Sequence, residues 1–358
     1  MFISIIGLPV SGKTTVFQTL AGAESPATRA GGKVHTRIVA VPDSRLQGLA
    51  MMSQSRKITS ATMTFADPVL IGQQSTRAYV ESLLPLVRDA DALAHVVRAF
   101  DDPIAPHPQG AIDPVRDLAQ LNSELLVADL VVVEGRLERL DKDLRKMKNV
   151  ELESEYALLQ RCRATLEDEQ PLRCLALTEA ENKRLRGFGL LTSKAQLVVL
   201  NLDEDHMAME SDYMARLLTH VQQTENDVLA VYGKIEGEIA QLPPEDAETF
   251  LQELGLQQSS LDRFIQISYA LLGLCSFFTT GEKETRAWTI PRGATAVEAA
   301  GAIHSDIARG FIRAETIHYD ALTASGSYAK AREAGTLRLE GKAYVVADGD
   351  VLLIRFNV

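Results

Sequence analysis

The chain has 358 residues, of which 46% are apolar and 24% charged, with a formal net charge of −11. That length allows two or three domains around sizeable cores, and the acidic balance argues against a broadly cationic nucleic-acid surface while leaving local basic patches open. Three scattered cysteines (Cys162, Cys174 and Cys275) and dispersed histidines exclude a disulfide framework and any paired Cys or His metal site. The cysteines are expected as reduced thiols. No cleavable targeting segment is expected, because the first strand-like run leads straight into a glycine loop. The longest apolar stretch, Ser268 to Phe278, is too short to cross a bilayer. The expectation is a cytoplasmic protein with no membrane partner.

In chain order, the first third alternates strand-like and helix-like runs: Phe2–Ile6, Thr14–Ala21, Lys33–Val41, Thr62–Ala66 and Ala92–Val97. This predicts an α/β domain with a mostly parallel sheet. Leu126, Leu130, Val133, Leu137, Leu140, Leu144 and Met147 then follow a heptad spacing with charges between them. After a break at Lys148-Asn149-Val150, a second face carries Leu152, Tyr156, Leu159, Cys162 and Leu166, which predicts an antiparallel helical hairpin. A further helix is expected from a capping box at Thr178 and Glu181 to about Gly187. This arm reads either as a plain helical subdomain or as a docking arm. Strand patterns resume at Ala195–Leu200 and Asp227–Tyr232, followed by helices through Leu274. From about Ser276 the strand-like runs are Trp288–Ile290, Phe311–Glu315, Lys342–Val346 and Val351–Phe356, with a short helix over Val297–Arg309. The domains expected are therefore 1–120 and 191–275 for the two parts of the α/β domain, 121–190 for the helical insertion, and 276–358 for a small α+β domain.

Gly7-Leu8-Pro9-Val10-Ser11-Gly12-Lys13-Thr14 matches G-x-x-x-x-G-K-[ST] in full, between a predicted strand and a predicted helix. Glycines let successive backbone N–H groups face phosphates at the positive end of the helix. Lys13 supplies a charge to the β and γ phosphates, and Thr14 offers a hydroxyl to Mg²⁺. These two are the candidate catalytic residues, with Gly7, Pro9, Val10, Ser11, Gly12 and Thr15 completing the phosphate side. Asp67 closes a strand-like run and is the candidate second metal ligand; the alternative is a solvent-exposed loop aspartate. For the base, the strand end Asn201-Leu202-Asp203-Glu204 stands where guanine-specific proteins read Asn-Lys-x-Asp. The acid is one methylene longer, and Leu202 replaces the lysine with an apolar residue suited to a base face. Adenine has no donor at N1, so a displaced acceptor suits an adenine-leaning or relaxed pocket. Gly233 and Lys234, just past the next strand-like run, join the candidate nucleotide-binding set.

The chain resembles the YchF subfamily of Obg-related P-loop NTPases from end to end. The residues that carry the resemblance include Gly7-Leu8-Pro9, Gly12-Lys13, Val41–Leu46, His95-Val96-Val97-Arg98-Ala99-Phe100, Asn201–Glu204, Gly281–Ile290, Gly310–Glu315, Leu337–Lys342, and Asp348-Gly349-Asp350 with Arg355–Val358. The resemblance implies a Ras-like domain, a coiled-coil insertion and a C-terminal TGS domain of β-grasp type. It also implies ATP preference over GTP, slow hydrolysis and association with the ribosome or RNA. An apolar residue, here Leu70 or Ile71, stands in place of the glutamine that positions water.

Several positions depart from the family pattern. Val10, Ser11 and Thr14 replace the usual Asn, Val and Ser, and Val10 lacks the amide that helps hold a monovalent cation. Asp67-Pro68-Val69-Leu70 has no glycine at its fourth position, and Gly72–Arg77 replaces a glycine-rich switch. Thr28 and Thr36 are the nearest candidates for a metal-binding switch threonine. Phosphate binding is thus expected to be retained more securely than hydrolysis, with a non-hydrolysing regulatory module as the alternative. From Phe277 onward, basic and acidic residues balance, so charge by itself does not mark an RNA surface, and Trp288 is expected in the core rather than as a base-stacking platform.

Overall fold

The computed structural model describes residues 1–20, 28–30, 34–68, 70, 76–221, 228–253, 256 and 258–357. Numbered in chain order, the strands are β1 (Phe2–Ile6), β2 (Thr28–Ala30), β3 (Val34–Ala40), β4 (Ile58–Thr59), β5 (Thr62–Pro68), β6 (Ala92–Ala99), β7 (Ala195–Leu202), β8 (Val228–Val231), β9 (Leu274–Thr279), β10 (Thr285–Pro291), β11 (Phe311–His318), β12 (Arg338–Glu340) and β13 (Asp350–Phe356). The chain divides into two compact units, one of Met1–Arg37 with Thr64–Phe264, the other of Ile38–Met63 with Ile265–Val358. Lys33, Asp227 and the switch residues Ile71 to Ser75 lie outside the described residues.

The first unit carries the sheet with strand order β2-β3-β5-β1-β6-β7-β8. From β5 through β8 every neighbouring pair is parallel. Parallel strands need crossover connections that cover both faces, so their residues are buried on both sides. All eight residues of β6 are buried accordingly. Most of that strand is apolar, but His95 and Arg98 are also 1% exposed or less. Because the five strands run the same way, their carboxyl ends share one edge. The phosphate loop after β1, Asp67 in β5, Phe100 after β6, Asn201 in β7 and Gly233 after β8 all fall on that edge, where open α/β sheets hold ligands.

Between β6 and β7 the chain makes the expected helical hairpin. Pro114 opens the helix Pro114–Lys146 and the Asp113 side chain caps it, accepting from the Arg116 N–H. Asn149 caps the return helix Val150–Glu167 by accepting from Glu151 and Leu152. Val133, Leu137 and Leu140 pack against Leu158, Leu159, Cys162 and Leu166, and Arg136 forks onto Glu155 at 2.7 and 3.1 Å. Of the heptad seam, Val133, Leu137 and Leu140 are buried, and Leu126, Leu130 and Leu144 are half-buried. Met147 is 61% exposed, because it ends the helix in extended conformation at the tip of the hairpin. The buried carboxylate of Asp129 accepts from the N–H groups of Leu191 and Thr192 and from the Thr192 hydroxyl, fixing where the returning chain re-enters the sheet. The helix Glu179–Leu185 begins on the expected Thr178–Glu181 capping box.

The second unit carries a mixed sheet of order β12-β11-β13-β9-β10-β4. The antiparallel hairpin β9–β10 leads into the helix Ala296–Ile303, and β13 returns parallel to β9. Cys275, Phe277, Ile290, Ala296, Ala299, Ala300 and Leu352 form the core beneath that helix, which is the β-grasp arrangement. Two expectations are corrected here. The predicted helix Val297–Arg309 is two helices, because His304 is extended and caps a second one over Ser305–Arg309. The predicted strand Lys342–Val346 forms only one bridge, Thr295 to Val345. Its carbonyls instead accept from the N–H groups of Ala296 and Val297, so this segment satisfies the start of the helix. Trp288 is half-buried: it stacks on Phe277, donates to Thr279 at 2.9 Å and lies under Arg286.

Candidate functional site

The phosphate loop is shaped by two glycines that have no room for a side chain. A Cβ on Gly7 would stand 2.3 Å from the Val96 carbonyl oxygen. Gly12 has φ +84°, and a Cβ there would meet the Asn201 amide nitrogen at 2.2 Å. Val10 also has a left-handed backbone, φ 59°, where a β-branched residue is strained. The helix Lys13–Thr19 starts at once.

Lys13 bends back, donating to the Leu8 carbonyl at 2.7 Å with its ammonium 5.5 Å from the Tyr79 ring centre. Burial of the ammonium lowers its pKa to about 8, against an opposing pull from Asp67. The Thr14 hydroxyl donates to Asp67 Oδ2 at 3.0 Å. Asp67 is 1% exposed, and its Oδ1 is buried without a partner. Burial raises its pKa, while Thr14, Lys13 and His35 pull it down. A hydroxyl beside a carboxylate with one orphaned oxygen is a fitting pair of hard ligands for Mg²⁺. Among the described residues no group of three or more His, Cys, Asp or Glu could hold a metal alone. Magnesium commonly takes one or two protein oxygens and completes its shell with phosphates and water.

Beside the loop lies a cavity of about 640 Å³, lined by Val10, Gly12, Thr15, Asn201, Leu202, Glu204 and Lys234 among others. Glu204 and Lys234 are exposed at its mouth. Leu202 is 2% exposed, anchored in the core while contributing to the cavity wall. Asn201 is a brace: its amide donates to the Ser11 carbonyl and accepts from the Gly233 N–H, both at 3.3 Å. Of the further lining from Phe100 to Ala105, the sequence motifs included Phe100 alone, and not as a site residue. Asp203 holds that wall by accepting from the Asp101 N–H at 3.0 Å. A run of polar residues straight after a buried strand, opened by an aromatic, was the available signal.

Ser11 and Gly7 are buried and Pro9 is exposed, and none of the three lines the cavity beside the loop. Thr28 and Thr36 are cross-strand partners in β2 and β3, and neither lines the cavity. Leu70 packs onto the apolar cluster of Tyr79, Val80 and Leu83.

This fold and this loop define a Ras-like P-loop NTPase domain carrying a helical insertion, joined in one chain to a β-grasp domain. A family model described as "YchF-GTPase_C: Protein of unknown function (DUF933)" matches residues 274–357. The Ribosome-binding ATPase YchF of Bacillus subtilis (strain 168) is 43% identical over 99% of this chain and 98% of its own length. The protein of the same name from Escherichia coli O157:H7 is 37% identical over the same shares of the two chains. Among solved structures, that of the Schizosaccharomyces pombe YchF GTPase superposes with a TM-score of 0.86 at 29% identity, covering 99% of this chain and 97% of that one. The chain belongs to the YchF family.

Proposed function

We propose that this protein is a nucleoside-triphosphate-binding P-loop NTPase that prefers ATP, turns it over slowly and works in association with the ribosome. The observation that carries the reading is the phosphate loop, with Lys13 held beside the Thr14–Asp67 pair and a base-sized cavity at its flank. In this reading Gly7, Pro9, Val10, Ser11, Gly12, Lys13, Thr14 and Thr15 hold the phosphates. Thr14 and Asp67 hold Mg²⁺, which supplies charge neutralisation on the β and γ phosphates when bound. Glu204 and Leu202 face the base, Asn201 and Gly233 fix the loop behind it, and Lys234 flanks the mouth.

The relatives named as ribosome-binding ATPases support both the ribosome as partner and the cytoplasm as compartment. The helical insertion, placed at 121–190, and the β-grasp domain, placed at 276–358, are the parts assigned to that partner or its RNA. No described helix is long and apolar enough to cross a membrane. Titration calorimetry with Mg-ATP and Mg-GTP tests the base assignment, and tighter GTP binding overturns it.

A second reading is a regulatory module that binds nucleotide without hydrolysing it. It is favoured by Leu70, which stands where a glycine N–H would approach the γ-phosphate and is drawn into the apolar cluster. Phosphate release that depends on Mg²⁺ and vanishes in Lys13→Ala rejects it.

A further inference from the structure

Beneath the phosphate loop lies a second cation that the proposed function does not use. Arg98, in β6, is 1% exposed and heads the fully buried side chains by volume. Its Nε donates to the Phe100 carbonyl at 3.0 Å, and its Nη1 donates to the carbonyls of Ala105 at 2.8 Å and Val10 at 3.2 Å. Nη2 is buried with no partner. Its guanidinium carbon lies 4.5 Å from the centre of the Phe100 ring. No carboxylate among the described residues lies within 4.0 Å of it. The acid that shares a small cavity with it, Asp117, is taken by His107 at 2.7 Å and by Arg116 at 2.9 Å.

A buried guanidinium placed for stability has a carboxylate partner and satisfied N–H groups, since an uncompensated buried charge is costly. Arg98 has carbonyl dipoles and an orphaned N–H instead. The three carbonyls belong to the phosphate loop and to the Phe100–Ala105 wall of the large cavity. The bond to Val10 ties that carbonyl to the buried guanidinium, at a residue strained at φ 59°. A carbonyl turned the other way would oppose its lone pairs to phosphate oxygens.

We propose that Arg98 is a positioning residue for the polyphosphate: it turns the Val10 peptide into its phosphate-accepting orientation, and its buried charge finds its counter-ion in the bound phosphates. The inference rests on the nucleotide-binding reading and adds a specific demand to it. The loss on removing Arg98 scales with the charge of the ligand, because a buried cation is little screened by salt.

The test is a ladder of probes on the full chain by calorimetry: ATP, ADP, AMP and adenosine, with inorganic tripolyphosphate and pyrophosphate as base-free probes. Arg98→Met is expected to weaken ATP and tripolyphosphate about thirtyfold, ADP and pyrophosphate about tenfold and AMP about threefold, leaving adenosine unchanged. A merely structural role lowers every rung alike, adenosine included. Should Arg98→Met fail to fold, Arg98→Gln keeps an amide N–H to donate to the carbonyls without the charge and carries the same test. Equal losses on all rungs, or no loss on any, overturn the role of Arg98 while the nucleotide reading stands. A wild-type chain that binds neither the nucleotides nor tripolyphosphate overturns both.

Discussion

The two units differ in where their orphaned buried polar atoms lie. In the first unit, Ser11 Oγ, Asp67 Oδ1, Tyr79 OH, His95 Nε2 and Arg98 Nη2 are all buried without partners, on or next to the carboxyl edge of the parallel strands. His95 is held neutral, its pKa pushed down to about 3 by burial, with smaller opposing and reinforcing effects from Asn122 and Lys13. In the second unit Ser268 Oγ, Arg286 Nε, Thr316 Oγ1 and Asp350 Oδ1 are also orphaned, none of them beside the phosphate loop, while the charged groups pair with one another. Arg45 bridges Asp43 and Asp348, both at 2.8 Å, Glu315 is shared by Arg332 and Arg355, and Tyr344 donates to Asp350 at 2.7 Å. Unmet hydrogen-bonding capacity costs stability, and the five orphaned atoms gathered around the phosphate loop are the ones that the proposed ligand would answer.

Removing Lys13 is the severest way to break this contrast. Lys13→Ala is expected to weaken Mg-ATP binding by about 10- to 150-fold, read by calorimetry, because a charge-assisted phosphate contact contributes about 1.5–3 kcal/mol and Asp67 is left without its neighbouring cation. Retained affinity would mean that the orphaned atoms do not mark the ligand site. Gly12→Ala comes next. At φ +84° and against Asn201, the added methyl is expected to cost about 1–3 kcal/mol in denaturant unfolding and to abolish tight binding.

The contrast also has a pH signature. Lys13 titrates near pH 8 in the free protein, and bound phosphate raises that value, so binding takes up a proton as pH rises through 8. Mg-ATP affinity is therefore expected to fall about fivefold between pH 8 and pH 9, with buffer-dependent heats showing the proton uptake. A flat profile would mean that Lys13 does not meet the phosphates. The smallest effect belongs to the other sheet. Tyr344→Phe removes a donor from buried Asp350 and is expected to cost about 1–2 kcal/mol in unfolding while leaving Mg-ATP affinity unchanged. A matching loss of affinity would show that the two sheets do not divide the work in this way.

Much of the phosphate side was legible because its parts are contiguous. Eight consecutive residues carry the loop, and backbone requirements at Gly7 and Gly12 leave a direct trace in residue type. The helical hairpin was legible for a related reason, since a period of 3.5 residues states which face is buried. Its end was not, because the heptad spacing runs on to Met147 while the helix stops at Lys146 and leaves Met147 extended and bare at the hairpin tip. The segment Lys342–Val346 misled for the converse reason: it has strand-like residues, but its carbonyls were claimed by the helix start at Ala296 and Val297.

The sequence by itself determined the class of protein: the loop, the α/β alternation, the inserted hairpin and the strand-rich C-terminal domain are each written in local spacing. The tertiary structure decided what the polar residues of the buried strands face. In the sequence, Arg98 and Asn201 are a charge and an amide near strand ends, more than one hundred residues apart. In the sheet they are register partners beneath one loop, Arg98 turning its Val10 carbonyl and Asn201 bracing its Ser11 carbonyl. Burial, partner and orientation are properties of the packed interior, and they follow from which strands lie side by side rather than from neighbours along the chain.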